Sequence, residues 1–216
     1  MNVAFVVYDG FTALDLIGPY EVIAGWPDIE LAFVASSPGL VSADSGLTVA
    51  AAPLRDADLV VVPGSSRPLG PLSDPALREW VQGVSATWMA SVCTGAAVYA
   101  AAGLLTGRRA TTHWAFRETL AGMGVEVVPE RVVFDPPFVS AAGVSAGIDM
   151  ALALTERVHG ADLARAIQLA IEYDPQPPFS TGSPEAAGPG LTALVRERLR
   201  RAASGSASPR GVGAPS

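Results

Sequence analysis

Ala86-Thr-Trp-Met-Ala-Ser-Val-Cys93-Thr-Gly-Ala-Ala97 is the stretch on which the fold turns. An apolar, strand-like run ends at Cys93, and a run of small residues with helical character starts directly after it. A tight strand-to-helix turn of this kind holds a side chain at the rim of a sheet with its functional atom pointing outward. A helix N-terminus behind a thiol favours the thiolate, because unpaired backbone N–H groups carry partial positive charge. The serine elbow of hydrolases displays its nucleophile in the same way. The bland alternative is a buried cysteine packing as a small hydrophobe, the usual fate of a free thiol. Gly95-Ala96-Ala97 favours the strand-end reading, since small residues let a helix start close against the sheet.

Outward from the elbow, strands and helices alternate. Val3–Tyr8, Ile29–Ala35 and Asp58–Val62 are near-continuous apolar runs, the pattern of parallel strands buried on both faces. Thr12–Gly25 reads as a helical stretch interrupted at Gly18-Pro19, with Leu14, Ile17, Val22 and Ile23 on its apolar side. Val41–Ala50 alternates weakly, as a peripheral hairpin does. Asp74 and Pro75 form a helix start signal for Asp74–Gly83. Beyond the elbow helix come a short strand at Arg109–Thr112, a helix at Ala115–Met123, and strands at Val125–Val128, Arg131–Phe134 and Phe138–Ala142. Helices follow at Ser145–His159, Ala161–Tyr173 and Leu191–Ala203. In the last of these, Arg196, Glu197, Arg198, Arg200 and Arg201 read as a solvated face. The alternation predicts an α/β, three-layer sandwich around an open, mostly parallel sheet. It occupies residues 1–203, and 204–216, rich in Ser, Gly and Pro, is expected to be a disordered tail.

Composition narrows the chemistry. The 216 residues are 50% hydrophobic and carry a net charge of −7, with no basic patch, so nucleic acid is not an expected partner. All fourteen basic residues are arginine, which excludes Schiff-base and P-loop lysine chemistry. One cysteine excludes an intramolecular disulfide, and with only His113 and His159 a Cys/His metal cluster is hard to build. The N-terminus reads as a first strand with no leader, and no apolar run approaches the ~20 residues of a membrane helix. The expectation is a cytoplasmic protein that does not engage a membrane.

Ligands of open α/β sheets bind outside the carboxyl ends of the strands. Three such ends carry notable residues: Asp9 to Asp15 after the first strand, Pro63-Gly64-Ser65 after the third, and Cys93-Thr94 after the fourth. As neighbours they would collect a carboxylate, a turn with free backbone N–H groups, and a thiol. Those are an acid/base, an anion-stabilising nest and a nucleophile. Asp15 has a second reading as a first-turn or N-cap residue of its helix. Asp9 is the rival carboxylate, although Asp9-Gly10 is ordinary turn chemistry. The Thr94 N–H is placed for an oxyanion hole. His113 either caps the next helix or lines the crevice, and Asp149 most simply complements a helix dipole. Trp26, Trp80 and Trp88 read as core or interface.

Asp15, Pro63-Gly64 and Ser91-Val92-Cys93-Thr94-Gly95, in this order, resemble the ThiJ/PfpI superfamily, glutamine-amidotransferase-like and flavodoxin-like in fold. Leu14-Asp15-Leu16-Ile17-Gly18-Pro19, Gly107 to Trp114, Ala146-Gly147-Ile148-Asp149 and the tail motif Glu172 to Phe179 with Gly182-Ser183-Pro184 are similar to its isonitrile hydratase branch. The chain departs from the pattern at Ser65, where glycine is usual, and in Ala141 to Ser145. The resemblance implies hydration of an isonitrile to a formamide. Cys93 is then the nucleophile, Asp15 the acid/base, Thr94 an orienting hydroxyl, and the Gly64 and Ser65 N–H groups steady charge. It also implies a homodimer with a small-molecule isonitrile substrate and no metal or organic cofactor. Glyoxalase-like or oxidation-sensing thiol proteins and a stand-alone ligand sensor are the alternatives.

Overall fold

The computed structural model describes residues 1–204, so the predicted tail falls, but for Ser204, outside the described residues. Ten strands form in chain order: β1 Asn2–Val6, β2 Glu30–Ala35, β3 Gly39–Ser42, β4 Thr48–Pro53, β5 Leu59–Val62, β6 Trp88–Val92, β7 Arg109–Ala110, β8 Glu126–Val127, β9 Val132–Asp135 and β10 Phe138–Ala141. The helices are α1 Ala13–Ile23, α2 Pro75–Gly83, α3 Ala96–Ala101, α4 Arg117–Gly122, α5 Ala146–His159, α6 Ala161–Ala170 and α7 Pro184–Ala203. Eight strands make one sheet in the order β3-β4-β2-β1-β5-β6-β10-β9, and β7 pairs with β8 apart from it. All neighbours in the large sheet are parallel except β3/β4 and β9/β10 at its two edges. This is the expected three-layer α/β sandwich.

Two apolar clusters sandwich the sheet because alternate residues of a strand face opposite sides. Val3, Phe5 and Val7 point to the layer of α1, α5 and α6, where Leu16, Met150 and Leu154 are buried. Ala4 and Val6 point to the layer of α2, α3 and α4, where Leu77, Tyr99 and Leu120 are buried. From β1 the chain steps to β2 on one side and later to β5 on the other, so the strand order reverses at β1 and β5. The carboxyl ends of β1, β5 and β6 therefore open onto a topological switch point, the place where such sheets bind ligands.

Several expected boundaries shift. α1 is one continuous helix with Pro19 inside it, and no break occurs at Gly18-Pro19. Gly18 packs at close range on the Ile148 side chain, so contact with α5 carries the helix through the proline. Leu14, placed on the apolar side from sequence, is 45% exposed. The expected Arg109–Thr112 strand stops at Ala110, after which Thr111 and Thr112 turn inward to bond side chains and carbonyls. The last helix starts at Pro184, seven residues before its predicted start, and is broken at Gly188, whose φ is 76°. Asp74 does cap α2, its Oδ1 accepting from the Ala76 and Leu77 N–H groups at 3.0 and 3.1 Å.

Candidate active site

Cys93 follows β6 directly and has φ of 58°, a left-handed backbone that is uncommon for a residue with a side chain. A single helical turn, Cys93–Gly95, leads into α3. The turn closes because Gly95 has no side chain: a Cβ there would lie 2.2 Å from the Val62 carbonyl oxygen and 2.8 Å from that of Pro63. Thr112 fixes the elbow from below, its hydroxyl donating to the Cys93 carbonyl at 2.7 Å. The strained conformation is thus held by packing on one side and a hydrogen bond on the other.

Asp15, Gly64, Ser65, Cys93 and Thr94 converge as the sequence predicts, and each is buried. Their hydrogen bonds, however, differ from the predicted nest. Gly64 N–H donates to Asp15 Oδ2 at 2.8 Å, and Ser65 N–H donates to Thr94 Oγ1 at 2.9 Å. Neither N–H is free to hold an anion, because the turn after β5 gives both to the Asp15 carboxylate and the Thr94 hydroxyl. Gly64 is required by the same closeness: a Cβ would stand 2.6 Å from Thr94 N and 2.8 Å from Asp15 Oδ2. Ser65 does not adopt a glycine-like backbone. Its hydroxyl ties two segments together, donating to Gly10 O and accepting from Arg67 N–H, at 2.8 and 2.9 Å.

The thiol is in the opposite state from the one its helix suggested. Burial raises the Cys93 pKa well above that of an ordinary thiol, and the negative charge of Asp15 adds to the effect. Hydrogen bonding to Thr94, through its N–H and its hydroxyl, acts the other way and is outweighed, while the side-chain hydrogen bond to Asp15 raises the pKa further. Cys93 is therefore an S–H donor to the Asp15 carboxylate, and Thr94 N–H faces the sulfur. The α3 N-terminus does not decide the matter, since α3 is only six residues long and starts three residues on.

Cys93 and Thr94 sit at the buried end of a cleft of about 420 Å³. His113, Phe116, Thr12 and Ser65 also line it. His113 does both things predicted of it, accepting from the Ala115 N–H through Nδ1 at 3.3 Å while lining the cleft. Burial and then the nearby Arg117 charge lower its pKa to about 4, so it is neutral near pH 7. Arg196, Leu199, Arg200 and Ala203 of α7 form the outer wall. Arg196 and Arg200 thus do not belong to a purely solvated face. Their spacing with Leu199 and Ala203 was the available signal, because i, i+3, i+4 and i+7 share one side of a helix.

The sequence reading misses the roles of Tyr8 and Thr12 at the site and, away from the cleft, part of that of Asp149. Tyr8, two residues past β1, donates its hydroxyl to Pro63 O at 2.5 Å. Its own pKa is raised by burial first and then by the charges of Asp15 and Cys93, so it stays neutral beside the pair. Thr12 lines the cleft and donates to Asp44 Oδ2 at 3.2 Å. Asp149 does more than complement a dipole: it accepts from the Arg131 guanidinium, with Nε at 2.8 Å, and from Tyr173 at 3.3 Å. That cluster anchors the chain as it leaves α6 toward the tail motif. Among the described residues, no three His, Cys, Asp or Glu side chains stand together as metal ligands, and no helix is long and apolar enough to cross a membrane.

Comparison with known proteins agrees with this architecture. The DJ-1/PfpI family model matches residues 1–157. Over 210 residues the chain is 38% identical to an isonitrile hydratase of Pseudomonas putida, covering 94% of this chain and 90% of that protein. It is 37% identical over 136 residues to the HTH-type transcriptional regulator CdhR of Pseudomonas aeruginosa, 58% of this chain and 40% of that protein. Among solved structures, a ThiJ/PfpI family protein from Pseudomonas syringae superposes with a TM-score of 0.87 at 34% identity, covering 94% of this chain and 89% of that one.

Proposed function

The chain belongs to the DJ-1/PfpI family, and we propose that it hydrates isonitriles, converting R–N≡C and water to the N-substituted formamide. The observation that carries this reading is the buried Cys93 thiol hydrogen-bonded to Asp15 at the floor of the cleft. The likeness to the Pseudomonas putida hydratase over nearly the whole chain supports it. A protonated thiol beside a carboxylate suits an isonitrile, whose terminal carbon must gain both a proton and a nucleophile.

In the first half, Asp15 takes the thiol proton and delivers it to the isonitrile carbon as sulfur bonds to that carbon. The product is the thioimidate R–N=CH–S–Cys93, and Asp15 is again a carboxylate. The Thr94 N–H and hydroxyl stabilise the sulfur while it is anionic. In the second half, water adds to the same carbon, with Asp15 moving one water proton to nitrogen, to give R–NH–CH(OH)–S–Cys93. Asp15 then carries the hydroxyl proton to sulfur as the C–S bond breaks, leaving R–NH–CHO and the thiol. Each step needs only these side chains and one water.

A glyoxalase-like or oxidation-sensing role fits the site less well, because oxidation starts from an accessible thiolate and Cys93 is 6% exposed with a raised pKa. The partial likeness to a regulator keeps ligand sensing as the second reading. Purified protein with cyclohexyl isocyanide is expected to yield N-cyclohexylformamide, detected by mass spectrometry, and Cys93→Ala to abolish it. Formamide at the wild-type rate from Cys93→Ala would overturn the mechanism. Binding of isonitriles by the wild type without any turnover would replace the enzyme with the sensor.

A further inference from the structure

Resting on the hydratase reading, we infer that the preferred substrate is an isonitrile carrying a carboxylate at the end remote from its reacting carbon. The cleft has two chemically distinct ends. Its floor holds the buried Cys93 and Thr94, and its exposed mouth is lined by Arg67, Arg196 and Arg200 with Glu118 as the opposing carboxylate. This excess of cations stands in a protein whose net charge is −7. The ion pairs among the described residues use other arginines: Arg55, Arg108, Arg109, Arg131, Arg165 and Arg201. Arg196 instead stacks over the Trp114 ring, its Cζ 5.0 Å from the centroid, which holds the guanidinium at the cleft wall while leaving its N–H edge available. Arg117, at the start of α4, adds to the field: its charge is felt by His113 within the cleft, and its Nε is buried without a hydrogen-bond partner.

Guanidinium groups of this kind bind planar anions through paired, charge-assisted N–H bonds. A volume of about 420 Å³ falls in the range of sites that enclose a whole small organic ligand. The same lining includes the apolar Phe116, Val144 and Leu199, which suit an apolar linker between the thiol and the arginines. The ligand that matches this order is therefore isonitrile, apolar spacer, carboxylate. The anion is bound by residues that never touch the reacting carbon.

The test compares ω-isocyano carboxylates, from isocyanoacetate to isocyanohexanoate, with their methyl esters, and cyclohexyl isocyanide as the neutral reference. At the best spacer length, kcat/KM for the acid is expected to exceed that for its ester by about 10- to 100-fold, the size of a charge-assisted hydrogen bond. That ratio is expected to fall toward unity in Arg196→Gln/Arg200→Gln, to be kept only in part in Arg196→Lys/Arg200→Lys, where the charge stays but the paired N–H edge is lost, and to shrink at high ionic strength. Arg67→Gln is expected to lower it separately. Ester equal to or better than acid at every length, with cyclohexyl isocyanide still hydrated, overturns this inference and leaves the hydratase reading standing. An acid preference that survives the double glutamine variant overturns the assignment to α7. No turnover of any isonitrile removes both the hydratase reading and this inference.

Discussion

Between Leu59 and Val62 every residue of β5 is apolar and buried, whereas two residues further on Gly64 and Ser65 each give their N–H to a buried polar side chain. The same contrast runs across the sheet. Its interior is filled by side chains that ask only for volume and contact. Its carboxyl rim buries Thr12, Asp15, Ser65, Thr94 and Thr112, polar groups that are costly unless partnered. The rim meets that demand by having each polar group position another: Gly64 holds Asp15, Ser65 holds Thr94, Thr112 holds the Cys93 carbonyl. Stability resides mainly in the first region and the proposed chemistry in the second, so substitutions in the two should fail in different ways.

The largest effect is expected at Asp15, and it should split two readouts in opposite directions. Asp15→Asn removes the proposed acid/base, and kcat for the proposed hydration is expected to fall by about 100- to 10,000-fold. It also removes the negative charge that helps to raise the thiol pKa. Alkylation of Cys93 by iodoacetamide at pH 8 is therefore expected to become severalfold faster in the same variant. A merely structural or capping Asp15 would not speed alkylation while stopping hydration. Unchanged activity would return Asp15 to its role as a first-turn residue of α1.

A matched pair then separates the regions directly. Gly64→Ala inserts a Cβ against both Thr94 and Asp15. Displacing the pair by a fraction of an ångström is expected to cost about 100-fold in the kcat of the folded fraction, with some stability lost as well, because the Thr94 nitrogen it meets is backbone. Leu154→Ala, in the apolar layer under α5, leaves a cavity where a fully buried side chain stood. It is expected to lose about 2–5 kcal/mol of stability while the folded fraction keeps its kcat. Equal losses of kcat in both variants would mean that interior and rim are one mechanical unit.

How far the sequence could be read follows the same division. The interior is legible because its signal is local: Val3–Val7 and Leu59–Val62 are apolar in every position, and short runs of this kind are the pattern of strands covered on both faces. The elbow was legible because strand, thiol and small residues are adjacent. The members of the site were legible as strand-end residues, but their bonds were not. Asp15 and Gly64 are 49 residues apart and Thr94 and Ser65 are 29 apart, so no spacing rule tells which N–H meets which oxygen. For that reason the turn after β5 reads as an open nest and is a filled one. The thiol was misjudged for a related reason. A helix N-terminus is visible in sequence, whereas the burial of Cys93 and the closeness of a second negative charge exist only after folding. The arginines of α7 look solvated because nothing local says that the helix lies back across the cleft.

The smallest expected effect tests whether His113 belongs to the chemistry or to the wall. Its pKa is lowered from 6.5 to about 4, by burial first and then by Arg117. Between those two values the unfolded chain binds a proton that the folded chain refuses, so stability rises with pH across the window. The contribution is complete above pH 6.5 and is lost as pH falls toward 4. In thermal melts, His113→Gln is expected to flatten that part of the stability profile. In kcat/KM between pH 6 and 8, wild type and variant are expected to run parallel, because the imidazole is neutral throughout that range. A kinetic inflection near pH 6.5 that disappears in His113→Gln would make the histidine a proton carrier. Cys93 would then be served by an imidazole, and the proposal that a carboxylate alone moves its protons would have to be given up.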